Sequence, residues 1–173
     1  MKIYIVLLAS LFFTKAISYS QSKNGVMKKD VQDSSKDITI HQEMNFAVEP
    51  QRIYRLLLDS KEFSECTKKS FSSFSNNSAS IDSATGGIFS LFDGHIIGRI
   101  LELVPNQRIV EAWRVVDWPA GIYSIARFEI SSQPAGTHLS FDHTGFPAGL
   151  KEHLSTGWQQ HYWDAFNHYF KQN

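Results

Sequence analysis

The chain has 173 residues, 42% hydrophobic and 20% charged, with 17 basic against 17 acidic side chains and a formal net charge of zero. That length supports one domain with a real core. That balance supplies no basic excess of the kind nucleic-acid binding needs, so nucleic acid is not an expected partner.

Lys2 precedes an apolar run, IYIVLLASLFF, over residues 3–13, and small residues stand at cleavage spacing in Ala16-Ile17-Ser18 and Ser18-Tyr19-Ser20. Residues 1–20 read as a secretory signal peptide. The run is short of the roughly 20 apolar residues that a spanning helix requires. The expectation is a secreted or periplasmic protein with no integral membrane span in the mature chain. Residues 21–37 are polar and aperiodic, a flexible leader. The folded domain is expected over residues 38–170.

ITIHQEMNFAV alternates, with Ile38, Ile40, Met44 and Phe46 on one face and Gln42 as the lone polar member of that set. This predicts a half-buried strand. The period then changes: Pro50 suits a first helical turn, and Ile53, Leu56 and Leu57 recur at helical spacing. A second short helix is predicted over residues 61–66. It contains Cys66, which has no second cysteine to pair with and reads as an inert thiol. A weak strand near residues 79–82 follows a serine-rich stretch. Strands then come in quick succession, separated by turn signals at Asp93-Gly94, Pro105-Asn106, Pro119-Ala120-Gly121 and Gln133 to Gly136. Short turns between strands predict a mainly antiparallel sheet.

Residues 150–170 read as one long final helix. Trp158, Tyr162, Ala165, Phe166 and Tyr169 form an apolar stripe on it, flanked by Trp163 and Phe170. Such a stripe can be packed core, a pocket wall or a surface that grips a partner. On the strands, Glu111 shares a face with Trp113, and Ser124, Ala126 and Phe128 share the more apolar face of their strand. Ser124 and Ala126 are small enough to make room for an aromatic ring or for a ligand.

The chemistry-bearing residues form no recognisable catalytic or metal motif. His161 and His168 are seven residues apart, roughly 10 Å along a helix axis, too far for one small metal site. There is no GxSxG and no cofactor fingerprint, so no catalytic residue, metal or cofactor is assigned. Glu111 and His143 are possible polar groups of a cavity; a carboxylate in an aromatic cavity would be pushed up by desolvation and could act as an acid or base.

At RIVEAWRVVDWPAGIYSIARFEI (residues 108–130), GTHLSFDHTGFP (136–147) and GWQQHYW (157–163) the chain resembles the AHSA1-like domain of the START-like (SRPBCC) superfamily. The positions that carry the likeness are Trp118-Pro119, Thr137, Gly145-Phe146-Pro147, and Gly157, Trp158, Tyr162 and Trp163, all of framework character. The resemblance implies an α+β helix-grip fold: a curved antiparallel sheet wrapped around a long C-terminal helix, with two short helices after the first strand. It also implies a cavity between sheet and helix that holds apolar ligands in many superfamily members.

The expectation from these observations is an exported, non-enzymatic protein that binds a small apolar or aromatic molecule, or a lipid. Trp113, Tyr123, Phe128, Trp158, Tyr162 and Phe166 are its candidate lining residues. A lyase, cyclase or hydrolase in the same cavity, and a protein-binding module, are the alternatives. Export would separate the chain from the cytosolic chaperone met by the eukaryotic activator, so an Hsp90-type chaperone is not the expected partner.

Overall fold

The computed structural model describes residues 38–68 and 77–172. The signal peptide and leader expected over residues 1–37, and residues 69–76 of the serine-rich stretch, lie outside the described residues.

Strand β1 (Thr39–Phe46) leads into α1 (Pro50–Leu58) and α2 (Ser60–Thr67). Pro50 occupies the first turn of α1, and Ile53, Leu56 and Leu57 form its buried side. Asp59 ends α1 and caps α2, its Oδ1 accepting the Glu62 backbone N–H at 2.8 Å. Glu62 in turn pairs with Arg52 and Arg55, which ties the two helices together.

Six further strands follow: β2 (Ser80–Ile81), β3 (Ile88–Leu91), β4 (Ile96–Val104), β5 (Arg108–Val115), β6 (Ser124–Gln133) and β7 (Gly136–Thr144). The β3–β4 hairpin turns where Asp93-Gly94 predicts it, with Phe92, Asp93 and Gly94 all at positive φ. The Asp93 carboxylate accepts from the Ser78 backbone N–H and hydroxyl, which fixes the chain leading into β2. Gly98 on β4 sits beneath the ring of Phe89; a Cβ there would lie 2.2 Å from that ring and 2.2 Å from the Ala112 carbonyl oxygen.

The strands form one antiparallel sheet in the order β1-β7-β6-β5-β4-β3-β2. The expected α+β class, the two short helices after β1 and the C-terminal helix are all present. The expected helix-grip shape, a curved sheet wrapped around that helix, is not. The sheet is open: β1 and β2 are its two edges and do not pair with each other. A two-residue β2 offers too short an edge to close the sheet, so the helix lies on one face rather than inside a wrap.

That C-terminal segment is two α-helices, α3 (Lys151–Trp158) and α4 (Asp164–Gln172), joined without a break by a π-turn at Gln159–Trp163. In a continuous α-helix adjacent residues stand about 100° apart. The wider π-turn brings both Tyr162 and Trp163 onto the buried side. The core lies between this segment and the sheet, where rings from both meet.

A filled site beneath the C-terminal helix

Alternation along three central strands builds the inner face. Ile109, Glu111 and Trp113 of β5, Ser124, Ala126 and Phe128 of β6, and Leu139, Phe141 and His143 of β7 are all buried. Register places Glu111 beside Ala126 and Ala126 beside His143, with Trp113 beside Ser124 in the next row. The small residues do make room, and the protein's own rings take it. Trp158 packs 4.3 Å from Phe141, 5.4 Å from Trp113 and 4.2 Å from Tyr162 between ring centroids, and lies nearly parallel to Trp163.

His143 is held by a chain of hydrogen bonds. The Trp158 indole can only donate, so its Nε1–H at 2.9 Å makes His143 Nδ1 an acceptor. The neutral ring then carries its proton on Nε2 and donates to Ser124 Oγ at 2.6 Å. The Ser124 hydroxyl donates onward to the Trp113 carbonyl at 2.9 Å. Burial holds the imidazole pKa down to about 3. Both nitrogens are committed to the framework, so this histidine has none to offer a substrate or metal.

Glu111 differs. Its carboxyl is buried between the Ile100 and Ala126 positions of the neighbouring strands and has no ion-pair partner among the described residues. Burial pushes its pKa up to about 8, so it is mostly protonated at neutral pH. Burial and then the Glu111 charge hold the Tyr162 phenol well above its ordinary range. The Tyr162 hydroxyl and the Trp113 indole N–H are both buried without a hydrogen bond.

Gln42, the polar exception in β1, is accounted for here. Its Oε1 accepts the Trp163 indole N–H at 2.7 Å, while its amide donates to the Ser155 carbonyl and hydroxyl. Trp163 was read from sequence as a flank of the stripe. It is fully buried, and the polar position opposite it on β1 was the signal available in the sequence.

The expectation of an apolar-ligand or lipid cavity is corrected by this packing. Five of the six candidate lining residues, Trp113, Phe128, Trp158, Tyr162 and Phe166, are core side chains at most 4% exposed. The sixth, Tyr123, is 47% exposed and stacks on the Arg114 guanidinium outside the sheet. It has the opposite parity to Phe128 and cannot share its face. The cleft beside Trp113, Trp158 and Tyr162 has a volume of about 50 Å³. Small-molecule sites run to roughly 300–1,000 Å³.

Among the described residues no three histidine, cysteine or acidic side chains gather as metal ligands, and no helix is long and apolar enough to cross a membrane. Cys66 is partly buried, and burial followed by the nearby Glu62 charge pushes its thiol up to about 12.

The framework motifs serve the fold directly. Thr137 donates its hydroxyl to the Val48 carbonyl at 2.5 Å, clamping the β1–α1 link to β7. Gly145 takes a φ of +78° so that the chain can bend away from β7, and Phe146 packs against His143. Trp118 packs edge-on to Trp113.

An open antiparallel sheet, a helical pair after its first strand and an aromatic C-terminal helix across one face define an α+β domain of the START-like (SRPBCC) class. Residues 47–171 match the family described as "Activator of Hsp90 ATPase homolog 1-like protein", and the chain belongs to that family. It is 27% identical over 125 residues to the human "Activator of 90 kDa heat shock protein ATPase homolog 1", covering 72% of this chain and 35% of that protein. It is 33% identical over 91 residues to the mouse homolog 2, covering 53% of this chain and 28% of that protein. The chain thus spans about a third of the length of these curated relatives. A solved HSP90 activator from Plasmodium falciparum is similar with a TM-score of 0.66 at 25% identity, covering 73% of this chain and 91% of that one.

Proposed function

We propose that this chain is a protein-binding module that docks on an Hsp90-type chaperone and acts on its ATPase cycle. One observation carries the reading: a domain of the activator family, whose named relatives act on the 90 kDa heat shock protein ATPase, has an interior filled by its own aromatic side chains. With no room for a ligand of ordinary size, affinity for a partner must come from the outside of the fold. This replaces the expectation, drawn from the N-terminal run alone, that such a chaperone is not its partner.

The same proposal keeps export as the destination set by residues 1–20. The partner is then an Hsp90-type chaperone of the compartment where the chain arrives. Titration of the mature chain into the purified chaperone of the source cell tests this by calorimetry and by ATP turnover. Binding in the micromolar range with altered turnover is the expected result. Absence of heat and of any change in turnover at 100-fold higher concentration, roughly 2.7 kcal/mol weaker, overturns it. A reporter fused after residue 37 and recovered wholly in the cytosol overturns the export element separately.

A further inference from the structure

The outer face of the sheet, opposite the helix, is divided into two electrostatically different ends. At one end Arg108, Glu129, Ser140 and Glu43 stand in one row, and Val110, Arg127, Asp142 and His41 in the next. Charges there are matched: Arg108 binds Glu102 and Glu129, Arg127 binds Glu129, and His41 binds Asp142 and Glu43.

The other end has no such closure. Ile88, Arg99, Ala112 and Ile125 form one row across β3, β4, β5 and β6, and Ser90, Ile97 and Arg114 form the next. Arg99 donates to the Gly86 carbonyl. Arg114 donates to the carbonyls of Val115, Val116 and Trp118 beneath the Tyr123 ring. Among the described residues neither guanidinium has a carboxylate partner. The apolar side chains around them are open to water, Ile88 at 63%, Tyr123 at 47% and Ile125 at 38%. A depression of about 320 Å³ opens between Ile88, Ile97 and Tyr123.

Branched apolar side chains left in water beside exposed Arg99, which has no carboxylate partner among the described residues, on a face whose other end is paired, match the make-up of recognition surfaces. Arg114 is buried beneath Tyr123 and supports the ring from below. We propose that this end of the outer face is the docking surface, and that its occupant is a segment of the partner protein that presents a carboxylate next to an apolar side chain. The apolar group enters the depression by Ile88, Ile97 and Tyr123, and the carboxylate meets Arg99. Charge complementarity selects this occupant: an acid placed at Arg99 gives that exposed guanidinium the carboxylate partner it lacks among the described residues. The inference rests on the protein-binding reading above and names the surface that does the binding.

The experiment compares the mature wild-type chain with Ile88→Glu, Arg99→Glu and, at the paired end, Glu43→Lys, each titrated into the Hsp90-type chaperone of the source cell. The expected result is at least a tenfold loss of affinity for Ile88→Glu and for Arg99→Glu, and less than twofold for Glu43→Lys. Urea midpoints identify any variant that fails to fold. For such a variant, amide exchange of the wild-type chain with and without chaperone stands in, with protection expected over 88–99 and not over 139–143. Wild-type affinity in both folded variants, or equal loss in Glu43→Lys, overturns the surface while leaving the protein-binding reading intact. A wild-type chain that does not bind the chaperone at all overturns that reading and the surface with it. Concentration-dependent self-association abolished by Ile88→Glu assigns the face to a second copy of the chain, and overturns the acidic partner.

Discussion

The Trp163 indole N–H and Gln42 Oε1 meet at 2.7 Å, so a side chain of the π-turn is pinned to an edge strand 121 residues earlier. Gln42 also serves Ser155 through its amide. Gln42→Leu leaves a buried indole donor without a partner, a loss of about 1–3 kcal/mol. Urea unfolding followed by circular dichroism should give a lower midpoint with an unchanged slope. Gln42→Glu retains an acceptor for Trp163 and should fall between the two. A midpoint equal to wild type for Gln42→Leu would mean that the bond contributes nothing net.

The pH dependence of stability follows from two buried groups with opposite signs. Glu111 has its folded pKa raised from 4.5 to about 8, so the folded state keeps a proton that the unfolded state releases. Its contribution makes stability fall as pH rises from about 4.5 to 8, by at most about 1.4 kcal/mol per unit. His143 has its folded pKa lowered from 6.5 to about 3, so the unfolded state takes up a proton that the folded state refuses. Its contribution makes stability rise with pH from about 3 to 6.5. Between 4.5 and 6.5 the two oppose each other. Their sum is a plateau there, falling away on both sides. Glu111→Gln should flatten the alkaline side between pH 6.5 and 8 and leave the acid side in place. Unfolding free energies measured at unit intervals from pH 4 to 9 check this; an alkaline slope that persists in Glu111→Gln would assign it to another group.

Cys66 should be a slow nucleophile. With the thiol pushed up to about 12, the thiolate fraction at pH 8 is roughly one part in ten thousand. A disulfide-exchange reagent should label the native chain far more slowly than the chain in urea. Equal rates in the two states would show that the thiol is neither shielded nor shifted.

Gly98→Ala should destabilise by about 1–3 kcal/mol, since the new methyl meets both the Phe89 ring and the Ala112 carbonyl. Gly98→Ala combined with Phe89→Leu should lose less than the sum of the two single changes if the ring is the main obstacle. Strict additivity in a thermal or urea melt would place the strain at the carbonyl instead.

Much of the fold was legible because it rests on local pattern. The alternation of β1, the helical spacing after Pro50 and the Asp93-Gly94 turn all depend on near neighbours in sequence. The π-turn was not legible: an α-helical period puts Trp163 beside the stripe, and only the Gln42 bond and the rings of β6 and β7 show why it turns inward. The open sheet was not legible either. Whether two edges meet depends on the length of β2, and two residues between turns carry little pattern. For the site, the parity that groups Glu111 with Trp113 was readable, and so was the conflict between Tyr123 and Phe128. Whether Trp158, Tyr162 and Phe166 surround a space or fill it was not. That is a difference in volume, set by how rings from four separate segments interlock. The same side chains would satisfy either outcome.

All four tryptophans, Trp113, Trp118, Trp158 and Trp163, are buried on the helix side or at its margin, and Trp158 and Trp163 lie nearly parallel. The chain therefore carries its own optical gauge of core integrity: near-ultraviolet dichroism and indole emission report that packing. The outer face contributes Tyr123 but no tryptophan. A partner that seats there leaves indole emission almost unchanged, whereas any event that loosens the helix alters it strongly, so docking and unfolding can be told apart in a single cuvette without a label.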